Sequence, residues 1–236
     1  MVKAINTPGL AEQLAYYQAR AGEYDQWWYR QGRYDRGPDL NARWFADVDE
    51  LHQALQRFAP TGDVLELAGG TGIWSGQLLP YANRLTVLDG APEALAINRS
   101  RQDSERVEYI EANLFDWRPE HRFDIVFFSF WLSHVPPAAF ADFWRLVRTC
   151  LAPGGRVFFI DSLKEATSTA VDHTLPVNDP VVRRRLNDGR MFAVYKIFHD
   201  PPELEQRLAG LGWNIQVTQT SRYFLYGHGA PADVQG

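Results

Sequence analysis

From Val64 onward the chain alternates between short apolar runs and longer stretches with helical periodicity. The short runs are "DVLELA" (63–68), "RLTVLD" (84–89), "RVEYIEA" (106–112), "FDIVFFSF" (123–130) and "RVFFIDS" (156–162), and each predicts a strand. The run at 123–130 is apolar nearly throughout, as a strand covered on both faces must be. Helices are predicted between the strands. One follows Gly72, one spans 91–102 with Pro92 in its first turn, and an amphipathic one spans 137–151 and stops at "APGG". Repeated strand–helix units predict an α/β fold: a parallel sheet with helices on both faces and ligands at the carboxyl ends of its strands.

The two ends depart from this pattern. "PPELEQRLAGLGW" (201–213) predicts a helix, and "NIQVTQTSRYFLYGHG" (214–229) two strands turning near Thr220-Ser221. No helix separates those strands, so they should pair antiparallel. Within "LNDGRMFAVYKIF" (186–198), Asn187-Asp188-Gly189 is a hairpin signal and predicts a small insertion or edge hairpin. Upstream, Trp44, Val48, Leu51, Leu55 and Phe58 recur at helical spacing across 41–59. Nine aromatics lie between Tyr16 and Phe45, about double the chain's 14% aromatic content. We divide the chain into an N-terminal helical extension (1–60) and one larger unit (61–236).

Composition narrows the function. A length of 236 residues, with 45% apolar and 22% charged, suits one domain with a packed core. The net charge is −5 and the longest basic run is Arg183-Arg184-Arg185, so neither nucleic acid nor an anionic membrane is an expected partner. The lone cysteine, Cys150, leaves no disulfide framework and suits a reducing cytoplasm. The start, "MVKAINTPGLAEQLAYY", lacks the apolar core of a secretory leader, and no apolar run is long enough to span a bilayer. The histidines have no metal-like spacing, so no metal site is expected.

The chemistry starts at "VLELAGGTGIWSGQLL" (64–79), a strand that breaks into glycines and resumes as a helix. Two cofactors compete for this loop. Gly70-Thr71-Gly72 opens a G-x-G-x-x-G pattern for a dinucleotide, but its third position is Ser75. Read from Glu66 instead, the loop resembles the first motif of the class I S-adenosylmethionine-dependent methyltransferases, with Ala68 in place of the first glycine. "EANLF" (111–115) resembles that family's adenine contact, with Asn113 where an aspartate is common. "FDIVFFSFWLSHV" resembles its fourth-strand motif and "LAPGGRVFFIDS" its entry into the fifth strand. The antiparallel tail is likewise the family's sheet ending. The resemblance covers roughly residues 10 to 228, and within the family it is strongest to the small ubiquinone- and menaquinone-biosynthesis-type enzymes.

This resemblance implies a Rossmann-like, seven-stranded, mostly parallel sheet with an antiparallel C-terminal strand. It implies S-adenosylmethionine as cofactor, S-adenosylhomocysteine as product and a small molecule as acceptor. Gly70 and Gly72 would let the backbone approach the cofactor's methionine part. Glu66 would orient the loop or accept from the ammonium, with Ala68 beside it. Asp89, followed by Gly90, would take both ribose hydroxyls, because two carboxylate oxygens match two neighbouring donors. Asn113 and Leu114 would read the adenine, and the Ser129 carbonyl would accept from the ammonium. His134, just past the fourth strand, is either the base, a neutral imidazole positioned to take a proton, or a capping or packing histidine ahead of Pro136-Pro137. The aromatic segment would either pack the N-terminal helices onto the domain or form a lid over cofactor and substrate, with Tyr24 of "GEYD" as a cofactor contact. Tyr17, Trp28 and Trp131 are the candidate substrate contacts, and Arg33 or Arg36 would meet an acidic substrate group. Two rivals stay open at this level: a cofactor-binding protein with a non-transfer role, and an oxidoreductase using a dinucleotide.

Overall fold

The computed structural model describes residues 9–176 and 179–232. Residues 1–8, where the expected N-terminal extension begins, lie outside the described residues, as do 177–178 and 233–236. Seven strands form the main sheet: β1 (Gly62–Leu67), β2 (Ala82–Asp89), β3 (Val107–Glu111), β4 (Phe123–Ser129), β5 (Leu151–Ser162), β8 (Trp213–Gln219) and β9 (Phe224–Pro231). A separate hairpin pairs β6 (Val181–Arg185) with β7 (Met191–Tyr195). The main sheet has the order β3-β2-β1-β4-β5-β9-β8. The first five strands are parallel, and β9 runs antiparallel to both β5 and β8. The helices are α1 (Leu10–Arg20), α2 (Tyr24–Trp28), α3 (Pro38–Phe58), α4 (Ser75–Leu78), α5 (Pro92–Arg101), α6 (Phe140–Cys150) and α7 (Pro201–Gly210).

Period-two alternation splits each central strand between two cores. Leu65, Leu67, Val126, Phe128, Val157 and Phe159 face α6 and α7, where Phe143, Trp144, Leu204 and Leu208 cover them. Val64, Ile125, Phe127, Phe158 and Ile160 face the other way, toward Trp44, Leu51, Leu55 and Phe58 of α3. Both faces are therefore dry, which is why β4 tolerates no polar alternation. Helix α3 begins three residues earlier than its apolar spacing predicts, because Pro38 takes its first turn. The helix after the glycine loop is only four residues long. There the chain spends its turns on the loop itself.

A buried carboxylate ties α3 to the antiparallel end of the sheet. Asp47 accepts from the hydroxyls of Thr220 and Ser221 and from the backbone N–H groups of Arg222 and Tyr223, at 2.6–2.9 Å. It thereby closes the β8–β9 turn.

The β6–β7 hairpin turns through residues 186–190, where Gly189 has a φ of 91°. It does not extend the main sheet but packs on α1 through Tyr16, Val182, Leu186 and Val194. Two polar side chains of α1 fasten it. Glu12 accepts from the Ala193 N–H, and Gln13 accepts from the Tyr195 N–H at 3.0 Å while donating to the His134 carbonyl at 3.1 Å.

Candidate active site

Two adjoining cavities open at the carboxyl ends of β1, β2 and β4, where the sheet order reverses. The larger, about 690 Å³, lies between the glycine loop and α1. The smaller, about 70 Å³, lies between α1, the Phe130–His134 turn and the hairpin. Tyr17, Tyr24 and Phe130 line both, so these three side chains form the shared boundary.

The glycine loop explains itself position by position. Ala68, Gly70 and Gly72 all have positive φ, at 55°, 54° and 88°. The sequence pattern thus stays in register with G-x-G-x-G, and Ala68 carries the strain an L-residue bears in that region. Gly72 is doubly required, because a Cβ there would lie 2.6 Å from Asn98 Oδ1. Asn98 is fully buried in α5, and its amide donates to Ser75 Oγ at 2.8 Å and more loosely to the carbonyls of Gly69 and Gly70. No local pattern marks this residue; only the fold brings it under the loop.

Asp89 ends β2 at the rim of the large cavity. Its Oδ2 accepts from the Gly70 N–H and its Oδ1 from the Ala91 N–H, each at 2.8 Å. Burial raises its carboxyl above the usual range, and the Ala91, Gly70 and Gly90 N–H groups oppose that shift. Each oxygen keeps acceptor capacity toward the cavity, which suits two neighbouring hydroxyls.

Of the expected cofactor contacts, Tyr24, Ala68, Gly70, Asp89, Gly90, Asn113, Leu114 and Ser129 line the large cavity. Glu66 and Gly72 do not. Glu66 is 1% exposed and accepts from Ser75 Oγ behind the loop, so it orients the loop rather than reaching a ligand. Burial pushes its carboxyl up to about 8. The Asn113 side chain is engaged locally, accepting from the Phe115 N–H and donating to Asp116. Asp116, three residues further along the same turn, lines the cavity and was not singled out from sequence.

The substrate candidates separate. Tyr17 lies on the shared boundary. Trp131 instead lines the larger cavity alone, its ring 5.7 Å from that of Phe115. Trp28 lines neither cavity: it is 5% exposed, packed among Trp44, Trp74, Phe130 and Phe224, because the helical turn of α2 points it into the core. Arg33 and Arg36 bond to the carbonyls of Arg185 and Thr169 and line neither cavity, so they brace the N-terminal segment.

His134 lines the smaller cavity and is almost fully buried. Its Nδ1 lies 2.5 Å from the Tyr195 carbonyl, which can only accept, so Nδ1 carries the proton. Nε2 is therefore the acceptor, and the Tyr17 hydroxyl donates to it at 2.8 Å. Burial, reinforced by the Lys196 charge, pushes the imidazole down to about 3. Lys196 itself sits 3.5 Å from the buried Asp161.

A last contact joins the N-terminal segment to the loop. Asp25 accepts from Thr71 Oγ1 at 2.6 Å and pairs with Arg101.

Comparison with known proteins places the chain in a family. A family model described as a methyltransferase domain matches residues 64–155. The solved complex of DhpI with SAM and HEP is 38% identical, covers 95% of this chain and 99% of that one, and has a TM-score of 0.77. The complex of DhpI with SAH has a TM-score of 0.75 at the same identity. The N-methyltransferase NodS from Bradyrhizobium japonicum WM9, with S-adenosylhomocysteine bound, shares the fold at 16% identity and a TM-score of 0.62. Nodulation protein S of Sinorhizobium fredii (strain NGR234) is 29% identical over 118 residues. That match takes in 47% of this chain, which spans about half the length (54%) of this curated relative.

The chain belongs to the S-adenosylmethionine-dependent methyltransferases. Its cofactor is accordingly S-adenosylmethionine and its product S-adenosylhomocysteine. The large cavity fits that cofactor, with a positive-φ cradle at one end and Asp89 free to take a ribose.

Proposed function

We propose that the protein methylates a small molecule held in the smaller cavity, across the boundary formed by Tyr17, Tyr24 and Phe130. That shared boundary is the observation that carries the reading, because a transferred methyl group must pass between the two sites. S-adenosylmethionine supplies a methyl carbon on a sulfonium, which is attacked in line while the C–S electron pair leaves on sulfur. The glycine loop at Ala68 and Gly70 would hold it, together with Asp89, Gly90, Asn113, Leu114 and Ser129, and Tyr24 would cover it. The protein's share of the work is to align the acceptor and exclude water.

His134 acts here as a positioning residue. Its lone pair is committed to Tyr17, and its buried imidazole takes up a proton poorly. It fixes the Tyr17 hydroxyl, whose own lone pairs face the acceptor. The acceptor atom is then one that needs no strong base. Residues 10–34 act as a lid over both cavities, within an extension (1–60) attached to the main unit (61–236). The lone, buried Cys150 and the acidic net charge support a cytoplasmic enzyme without a nucleic-acid partner. Among the described residues no helix is long and apolar enough to cross a membrane.

The test combines calorimetry with a labelled-methyl assay over a small-metabolite panel. S-adenosylhomocysteine should bind and NAD should not. Tyr17→Phe and His134→Ala should each lower turnover by roughly tenfold or more while cofactor affinity stays within about twofold. Turnover should stay flat from pH 6 to 8, since His134 remains neutral throughout. A profile that rises through pH 6–7 and is lost in His134→Ala would restore the base role. Cofactor binding without transfer to any acceptor would favour a non-transfer protein.

A further inference from the structure

The smaller cavity carries more positive charge than its own surroundings balance. Arg20, Arg184 and Lys196 all line it. Lys196 has its counter-ion in Asp161, 3.5 Å away. Arg20 and Arg184 have none: no carboxylate pairs with either among the described residues.

Neither guanidinium is used up by backbone carbonyls. Arg30 shows what a structural arginine looks like in this fold. It is 4% exposed and donates to the carbonyls of Thr167 and Ser168 and to Asn41. Arg20 makes one long bond, 3.3 Å to the Tyr34 hydroxyl, and its buried Nε has no partner. Arg184, 8% exposed, makes one bond of 3.2 Å to the Thr174 carbonyl. A guanidinium offers five donors, so most of theirs remain unspent.

The surroundings also hold these charges in place. Arg20 stacks against Tyr24 at 4.8 Å and Tyr16 at 5.5 Å. Such faces steady a cation without neutralising it. Burial and the neighbouring Arg20 both lower the Arg184 pKa from its ordinary value. A buried arginine and a half-buried one lining the same cavity, neither with a counter-ion, are costly unless a ligand brings the opposite charge.

We propose that the smaller cavity is an anion site, in which Arg20 and Arg184 bind the carboxylate or phosphoryl group of a compact acceptor molecule. The cavity, about 70 Å³ with α1 and the hairpin packed against it, suits a compact molecule. An anionic oxygen also matches the proposed Tyr17–His134 arrangement, because it has no proton to lose before it attacks. The assignment rests on the acceptor reading above.

The experiment is calorimetric titration of the protein saturated with S-adenosylhomocysteine, using inorganic phosphate, acetate and neutral acetamide as probes. Saturation is measured first. Failure to bind S-adenosylhomocysteine would sink the cofactor reading, whereas failure at the second step would sink only the anion site. Phosphate or acetate should bind and acetamide should not; phosphate alone marks a phosphoryl group, acetate alone a carboxylate. Arg184→Met should weaken the anion about tenfold or more. Arg184→Lys should recover part of that loss, and both variants should keep S-adenosylhomocysteine affinity. If Arg184→Met is unstable, Arg20→Met makes the same test. Anion binding equal in wild type and variants, or no anion binding at all, overturns the proposal.

Discussion

At the scale of single residues, the site depends on carboxyl groups placed for opposite purposes. Asp89 faces the cavity and stays an acceptor, held by the Gly70 N–H of the glycine loop and the Ala91 N–H just after it. Glu66, two residues before Ala68, faces away and is buried against Ser75. Both were legible as acids at strand ends, but their division of labour was not, because it depends on which face of β1 and β2 each occupies. Glu66 has a measurable consequence. Its carboxyl rises from an ordinary 4.5 to about 8 in the fold. A raised pKa means that the stabilising protonated form is fully present below about 4.5 and lost as pH climbs through 8. Relative to Glu66→Gln, the wild type should therefore lose roughly 2–5 kcal/mol of stability between pH 4.5 and 9. Urea unfolding of the pair across that range is the check; a constant difference would mean the carboxyl titrates normally.

At the scale of elements, apolar periodicity located the strands and helices to within a few residues, because each central element buries a whole face. Periodicity carried no information on how an element is tied to its neighbours. Asp47 lies within the helix predicted over 41–59, outside the apolar positions that predict it. In the fold it is 1% exposed and completes the β8–β9 turn with four hydrogen bonds. Asp47→Ala leaves the buried Tyr223 N–H and the part-buried Arg222 N–H without their acceptor, while the Thr220 hydroxyl keeps the Phe224 carbonyl, and should cost about 2–4 kcal/mol. Thermal or denaturant unfolding measures it directly. A loss below about 1 kcal/mol would show that water takes over the carboxylate's role.

At the scale of the whole molecule, the N-terminal segment and the hairpin close the site from one side. Helix α1 lines the large cavity, carries Tyr17 and Arg20 to the small one, and holds the hairpin through Glu12 and Gln13. Asp25 connects this segment to the loop through Thr71 and Arg101. A lid attached in this way should open as a unit. Hydrogen exchange over residues 10–28 and 181–195 should slow together by about tenfold or more when S-adenosylhomocysteine is added, while β4 and β5 stay unchanged. Exchange that is equally slow with and without the ligand would make the segment a fixed wall.

The sequence alone determined the sheet and its antiparallel ending, and marked the glycine loop and Asp89 as a candidate cofactor site. These are properties of single elements and short motifs, and burial of whole faces writes them into local periodicity. It also marked His134, Tyr17 and the Asn187-Asp188-Gly189 turn. Only the tertiary structure decided what they do together. It turned Trp28 into the core, moved Trp131 to the larger cavity, set Asn98 beneath the loop and bound His134 to Tyr17. It brought Arg20 beside Arg184, 164 positions along the chain, around one small cavity. Contacts between such distant residues follow from how helices and hairpin pack on the sheet, and no local pattern of side chains encodes that.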